Sequence, residues 1–189
     1  MLIPLRLSAQ SDEQLMQRAS SGSERAFEEL YNRHARRLQG FFTRRLGDDA
    51  DLAADFMHDT FLRLYDARRK YHAGSSFRAW LYTIAYNLLK NHHRTASPTD
   101  PLPEREEYID SSGETIEVEM DMGILHDALR HVLRSLPEPL AMLFSLHYEE
   151  ELTIPQIAQI TQLPEGTVKS RLHKVMKTIK TKLQYYENH

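Results

Sequence analysis

A chain of 189 residues can hold one ordinary domain or two small ones, because each part must bury a core of its own. Charged residues at 27% and hydrophobic ones at 41% are the balance of a soluble protein, and the absence of cysteine excludes disulfides, thiol catalysis and cysteine-ligated metal centres. The net charge of −3 conceals three blocks: 15 Lys and Arg against 11 Asp and Glu in residues 1–95, 3 against 14 in 96–151, and 6 against 2 in 152–189. Two basic ends around an acidic middle suggest two polyanion-binding modules joined by a connector that repels the same polyanion. A chance scatter of solvated surface charge explains the blocks about equally well.

From residue 12 to 94 the sequence reads as successive amphipathic helices. Ala26, Phe27, Leu30, Tyr31, Leu38, Phe41 and Phe42 recur at three- and four-residue steps, as a buried helical stripe requires. Gly47-Asp48-Asp49 breaks that helix, and Leu52, Ala53, Phe56, Phe61, Leu62 and Tyr65 mark the next. Residues 66–76 contain Arg68-Arg69-Lys70 and Gly74 and read as a loop. Residues 77–94 are helical again, with Phe77, Trp80, Leu81, Ile84, Ala85, Leu88 and Leu89 on one face. Tyr65, Tyr71, Phe77, Trp80, Tyr82 and Tyr86 interleave with the cations between Arg63 and Arg94. Rings that stack on bases among cations that track a backbone suit single-stranded nucleic acid, although aromatics at this spacing also fit a core.

Residues 96–123 differ in kind, with Pro98, Pro101, Pro103 and Arg105 among a majority of acidic and polar residues. Such a segment buries too little apolar surface to offset its ordering entropy and reads as a flexible acidic linker. Helices resume near Ile124 and break once at Leu136-Pro137-Glu138-Pro139. Thr153 caps a short helix, with Gln156 completing a capping box and Pro155 tolerated in the first turn. After a turn at Thr161-Gln162-Leu163, Pro164 opens a longer helix whose apolar face is Val168, Leu172, Val175, Met176, Ile179 and Leu183. A short helix, a tight turn and a longer basic helix make a helix-turn-helix. Its outward Lys169, Ser170, Arg171, His173 and Lys174 suit base edges in a major groove, and later lysines suit phosphates; basic residues that only complement the helix dipole are the competing reading.

The expected fold is therefore all-α, with two small helical domains, 10–95 and 124–185, joined by the acidic linker 96–123. No apolar run approaches the roughly 20 residues of a membrane helix, and residues 1–7 are too short and broken for a signal peptide. A cytoplasmic protein without membrane insertion is expected. Ten histidines form no His-Glu-x-x-His pattern, and His92 and His93 lie about 100° apart around a helix, so neither a metal nor another cofactor is expected. Glu106-Glu107 lie in the linker, which cannot hold a catalytic geometry, and no enzyme is expected.

Three segments, in order, carry a resemblance. Residues 76–87, Ser-Phe-Arg-Ala-Trp-Leu-Tyr-Thr-Ile-Ala-Tyr-Asn, resemble the promoter-melting region of bacterial sigma factors of the extracytoplasmic-function group. Residues 55–64, Asp-Phe-Met-His-Asp-Thr-Phe-Leu-Arg-Leu, resemble the helix with which those proteins dock on RNA polymerase. Residues 163–172, Leu-Pro-Glu-Gly-Thr-Val-Lys-Ser-Arg-Leu, resemble their second-domain recognition helix. The resemblance implies a non-enzymatic factor that binds polymerase core at its clamp helices and flap, directs it to promoters and assists opening.

It implies polymerase contacts at Asp55, His58, Asp59, Phe61 and Leu62. For the minus-10 element, as duplex and as single strand, it implies Arg68, Arg69, Lys70, Trp80, Asn87, Lys90, Asn91 and Arg94, with a base pocket in the loop 66–76. For the minus-35 element it implies Thr167, Lys169, Ser170, Arg171, His173 and Lys174, and Ile154 matches a further contact position in some members. Many relatives carry an acidic pair just before the docking helix, where this chain has Leu52-Ala53-Ala54-Asp55. Phosphorylation of Thr60 would restore negative charge there; an ordinary packed threonine is the competing reading. Many members of the group are held inactive by an anti-sigma protein, a further candidate partner. The alternative outside this group is a helix-turn-helix regulator that binds DNA, as a dimer, without polymerase.

Overall fold

A computed structural model describes the backbone of residues 7–96 and 122–187 and the side chains of 7–94 and 127–184. Among these residues there are eight α-helices: α1 (Asp12–Ser20), α2 (Glu24–Arg45), α3 (Ala50–Ala67), α4 (Phe77–Ala96), α5 (Met122–Arg134), α6 (Glu138–Phe144), α7 (Ile154–Thr161) and α8 (Glu165–Glu187). The chain forms two compact units, one holding α1 to α4 and the other built on α5, α6 and α8. The expected linker, apart from its first residue and its last two, lies outside the described residues.

Local chemistry sets most helix ends. Ser11 caps α1 in a reciprocal box with Gln14, and Ser23 and Asp49 cap α2 and α3 through backbone amides three residues on. The break between α2 and α3 turns on positive φ at Gly47 and Asp48, a conformation that glycine adopts freely. One boundary differs from expectation. α3 runs to Ala67 and continues as a 3-10 turn, Arg68–Lys70, so the true loop is only 71–76. Arg68 causes this: its Nη1 donates to the Tyr65 carbonyl at 2.6 Å and its guanidinium lies 3.8 Å from the Tyr65 ring centroid, which holds the extra turn.

In the first unit α2 packs on α1 and α3, and α4 closes against α3. Phe41 lies at the centre, fully buried, its ring edge-on to Phe42 at 5.6 Å and Tyr82 at 5.4 Å. Arg33 of α2 anchors the segment before α1. Its Nη1 donates to the Gln10 carbonyl at 2.8 Å and pairs with Asp12 at 3.0 Å, and its Nη2 donates to the Leu7 carbonyl at 3.1 Å.

His34 Nε2 stands 2.6 Å from the second Asp12 oxygen. That hydrogen bond holds the Asp12 carboxyl below the usual carboxylate range; partial burial opposes the shift, and the charges of His34 and Arg33 and the Arg33 hydrogen bond add to it. The folded chain thus binds this proton more weakly than the unfolded chain. The stability Asp12 contributes is complete above the ordinary carboxylate range and disappears as pH falls through its lowered value. Urea midpoints of the native chain and Asp12→Asn should differ at neutral pH and converge as pH is lowered from about 5 to 2. A gap that stays constant would rule this linkage out.

In the second unit Val132, Leu140, Val175, Ile179 and Leu183 join α5, α6 and α8 in one core. α6 runs into a π-helical segment, Ser145–Glu149. Thr153 caps α7 in the expected box with Gln156. Gln162 ends α7 at φ +60°, the left-handed conformation that a sharp inter-helix turn requires.

Candidate nucleic-acid and polymerase interfaces

Three side-chain surfaces stand out. The first is on α3, where Asp51, Asp55, His58, Leu62 and Asp66 are exposed at spacings of three and four residues and therefore share a helix face. Leu62, 64% exposed, is an apolar side chain with Asp59 and Asp66 one turn away on either side, and the His58 ring lies parallel to that of Tyr31. Asp59 belongs to the same face but forms an ion pair with Arg63 at 2.9 Å. Asp51 and Asp66 are absent from the docking residues that the resemblance implies, yet their spacing from Asp55, Asp59 and Leu62 is legible in the sequence. They supply two further exposed carboxylates on this helix.

Two expected α3 residues are not on this surface. Phe61 is 3% exposed and packs against Phe27 and Tyr31 at 6.2 and 4.8 Å, so it supports the face from beneath. Thr60 is fully buried, and its hydroxyl donates to the Phe56 carbonyl at 2.7 Å. No kinase reaches a hydroxyl in that position without unfolding the helix, and the packed reading of Thr60 replaces the phosphosite.

The second surface runs from the 3-10 turn to the end of α4. Arg69 and Lys70 are exposed, whereas the Arg68 guanidinium is engaged by Tyr65 as described. Trp80, Asn87, Asn91 and Arg94 follow at steps of seven, four and three residues and form one stripe, with Lys90 beside it. Asn87, Lys90, Asn91 and Arg94 are exposed, and the half-buried Trp80 carries Tyr71 against its ring at 5.5 Å. Phe77, Leu81 and Tyr82 are buried, so the aromatics of this region divide between core and surface. His93 near the end of α4 is held below the usual histidine range by burial and by His92 and Arg45.

The third surface is on α8. Lys169, His173, Lys174 and Lys177 are exposed opposite the buried stripe of Val168, Leu172, Val175 and Ile179. Ser170 is half-buried, its hydroxyl donating to the Thr167 carbonyl at 3.1 Å, and Thr167 and Arg171 are half-buried as well. Ile154 is half-buried at the start of α7. The spacing puts Lys169 and His173 one turn apart and Lys177 one turn further on, as a helix read along a groove demands.

Comparison with known proteins fits this arrangement. Family models for sigma-70 region 2 and sigma-70 region 4 match residues 30–99 and 126–179. The chain is 30% identical over 187 residues to the RNA polymerase sigma-H factor of Pseudomonas aeruginosa, covering 94% of this chain and 96% of that one. It is 30% identical over 183 residues to the ECF RNA polymerase sigma-E factor of Haemophilus influenzae, covering 92% and 96%. The chain is an extracytoplasmic-function sigma factor.

As a sigma factor it is non-catalytic and directs RNA polymerase to promoters for transcription initiation. Region 2 lies in the unit of α1 to α4, and region 4 holds the helix-turn-helix of α7 and α8. The match to region 2 sets aside the alternative of a regulator acting without polymerase. Among solved structures the sigma factor is similar to CnrH, solved with the cytosolic domain of CnrY, at a TM-score of 0.68 and 22% identity over 92% of this chain and 97% of that one. It is also similar to RpoE of Bartonella quintana, solved with the anti-sigma factor NepR, at 0.60 and 20% over 84% and 96%. These likenesses establish the fold. No helix among the described residues is long and apolar enough to cross a membrane.

Proposed function

We propose a division of labour among the three surfaces. The acidic face of α3 around Leu62 binds the clamp helices of polymerase core. The 71–76 loop with the α4 stripe reads and holds the melted minus-10 strand, and Lys169, Ser170, His173 and Lys174 of α8 read the minus-35 duplex. The observation that carries this reading is the stripe of half-buried Trp80 with exposed Asn87, Asn91 and Arg94, which combines a ring edge for stacking with amides and a cation for bases and phosphates. The domain limits 10–95, 96–123 and 124–185 fit it, with the linker as the connection through the polymerase. The protein works in the cytoplasm, where polymerase and promoters are. An anti-sigma protein that holds the free factor is part of the proposal, supported by the two solved relatives with bound partners.

Transcription in vitro on genomic promoter fragments, with core polymerase and with or without this chain, tests the reading. Initiation at defined start sites is expected only with both. Replacing Lys169 and His173 together by alanine should lower initiation about tenfold and relax preference at the minus-35 positions, since a specific base contact is worth ~1–3 kcal/mol. Specific DNA binding by the free chain without new initiation would overturn the proposal.

A further inference from the structure

Where α1 packs against α4 and the 3-10 turn before it, its first turn also supplies a carboxylate. Glu13 Oε1 of α1 accepts a hydrogen bond at 3.3 Å from the backbone N–H of Phe77, the first residue of α4 and 64 positions away in sequence. The Ser76 hydroxyl takes the amide of Ala79 at 3.2 Å, so two groups from different parts of the chain satisfy the opening turn of α4. A carboxylate also complements the positive end of the helix dipole.

In the loop that precedes α4, the Ser75 N–H donates to the His72 carbonyl at 3.1 Å and the Tyr71 N–H to the Arg68 carbonyl at 3.2 Å. His72, Ala73, Gly74 and Ser75 are exposed, and Gly74 takes φ +92°. Tyr71 ties the loop together, donating its hydroxyl to the Ser75 carbonyl and laying its ring on Trp80. Burial and, to a lesser degree, the Glu13 carboxylate push the Tyr71 phenol up. α1 is itself rigidly held: Ser11 and Gln14 box its start, Arg33 and His34 grip Asp12, and the His34 ring lies 5.1 Å from that of Phe77. Glu13 and the rest of α1 lie before residue 30, where the match to the region 2 family model begins.

We infer that Glu13 is a positioning residue for minus-10 recognition, holding the 71–76 loop and the first turn of α4 in the conformation that accepts a base. The inference rests on the proposed minus-10 role of this loop. Neither Glu13 nor α1 contacts the promoter in it. Its effect is transmitted through the Phe77 amide, Tyr71 and Trp80.

The test uses holoenzyme assembled from core polymerase and the full chain, transcribing a promoter pool randomised across the minus-10 element. The native chain should enrich a defined minus-10 sequence. Glu13→Ala should reduce that enrichment about fivefold, the usual scale of a lost helix cap, with minus-35 preference unchanged. Glu13→Gln, which keeps an acceptor oxygen at the same reach, should restore most of it. Glu13→Asp, which keeps the charge but is shorter, should not. Trp80 is the sole tryptophan and packs on Tyr71, so its emission reports the state of the loop and should shift with Ala and Asp but not with Gln.

Full enrichment and native emission with Glu13→Ala would overturn the inference, as would a loss of stability with enrichment intact. If Glu13→Ala unfolds, the order of Gln and Asp decides: Asp retaining enrichment while Gln loses it overturns the positioning role. A native chain that enriches no minus-10 sequence refutes the underlying reading instead.

Discussion

Exchanging Leu62 for aspartate is expected to weaken binding to RNA polymerase core by about 30-fold, the ~2 kcal/mol typical of a central interface residue. The side chain is 64% exposed on α3, so its replacement removes no core packing and thermal stability should hold. What the substitution removes is the exposed apolar side chain of a face that also carries Asp51, Asp55, Asp59 and Asp66. A desolvated anchor inside a charged rim supplies most of the affinity, while the rim steers encounter and sets salt dependence. Asp51→Asn should accordingly slow association at low salt and leave dissociation nearly unchanged. Surface-based binding assays with immobilised core measure both rates. Native affinity for Leu62→Asp would move the docking surface off α3.

The second large effect concerns the fold. Phe41→Ala removes a fully buried ring packed on Phe42 and Tyr82 and should cost roughly 3–5 kcal/mol. A domain is stable by only ~5–15 kcal/mol, with small ones at the lower end, so most of the stability of the α1 to α4 unit goes with it. Trp80 lies in that unit and is the only tryptophan, so fluorescence in urea follows its unfolding selectively. A strongly lowered midpoint is expected. A change of less than about 1 kcal/mol would mean that the cavity collapses or that Phe41 is not central.

Much of this protein is legible in its residues alone. Ser11 (with Gln14), Asp49 and Thr153 (with Gln156) each stand at the residue before a helix start, and Gly47-Asp48 announces a stop. The apolar stripe of α8 and its opposing lysines follow from spacing. Three ordered motifs are enough for the family.

The departures on α3 itself share a cause. Leu62 and Phe61 are adjacent apolar residues on one helix, and spacing within α3 does not say which of them meets a core. The packing of α2 decides it, because Phe27 and Tyr31 receive Phe61 and leave Leu62 outside. Thr60 goes inward for the same reason. Arg68 reads as an outward cation in the sequence, whereas Tyr65 binds it through an i,i+3 contact that requires a particular turn after α3.

The helices and their local caps are written in the amino-acid order, since these depend on residues within one or two turns of each other, and a change in composition marks the two-part architecture. Tertiary packing was needed to decide which side of α3 faces solvent, that Arg33 and His34 lock Asp12, and that Glu13 caps a helix 64 residues away. Such contacts join positions whose separation along the chain carries no periodicity. They exist because burying apolar faces fixes how the helices pack, and that packing then places distant polar groups within hydrogen-bonding distance.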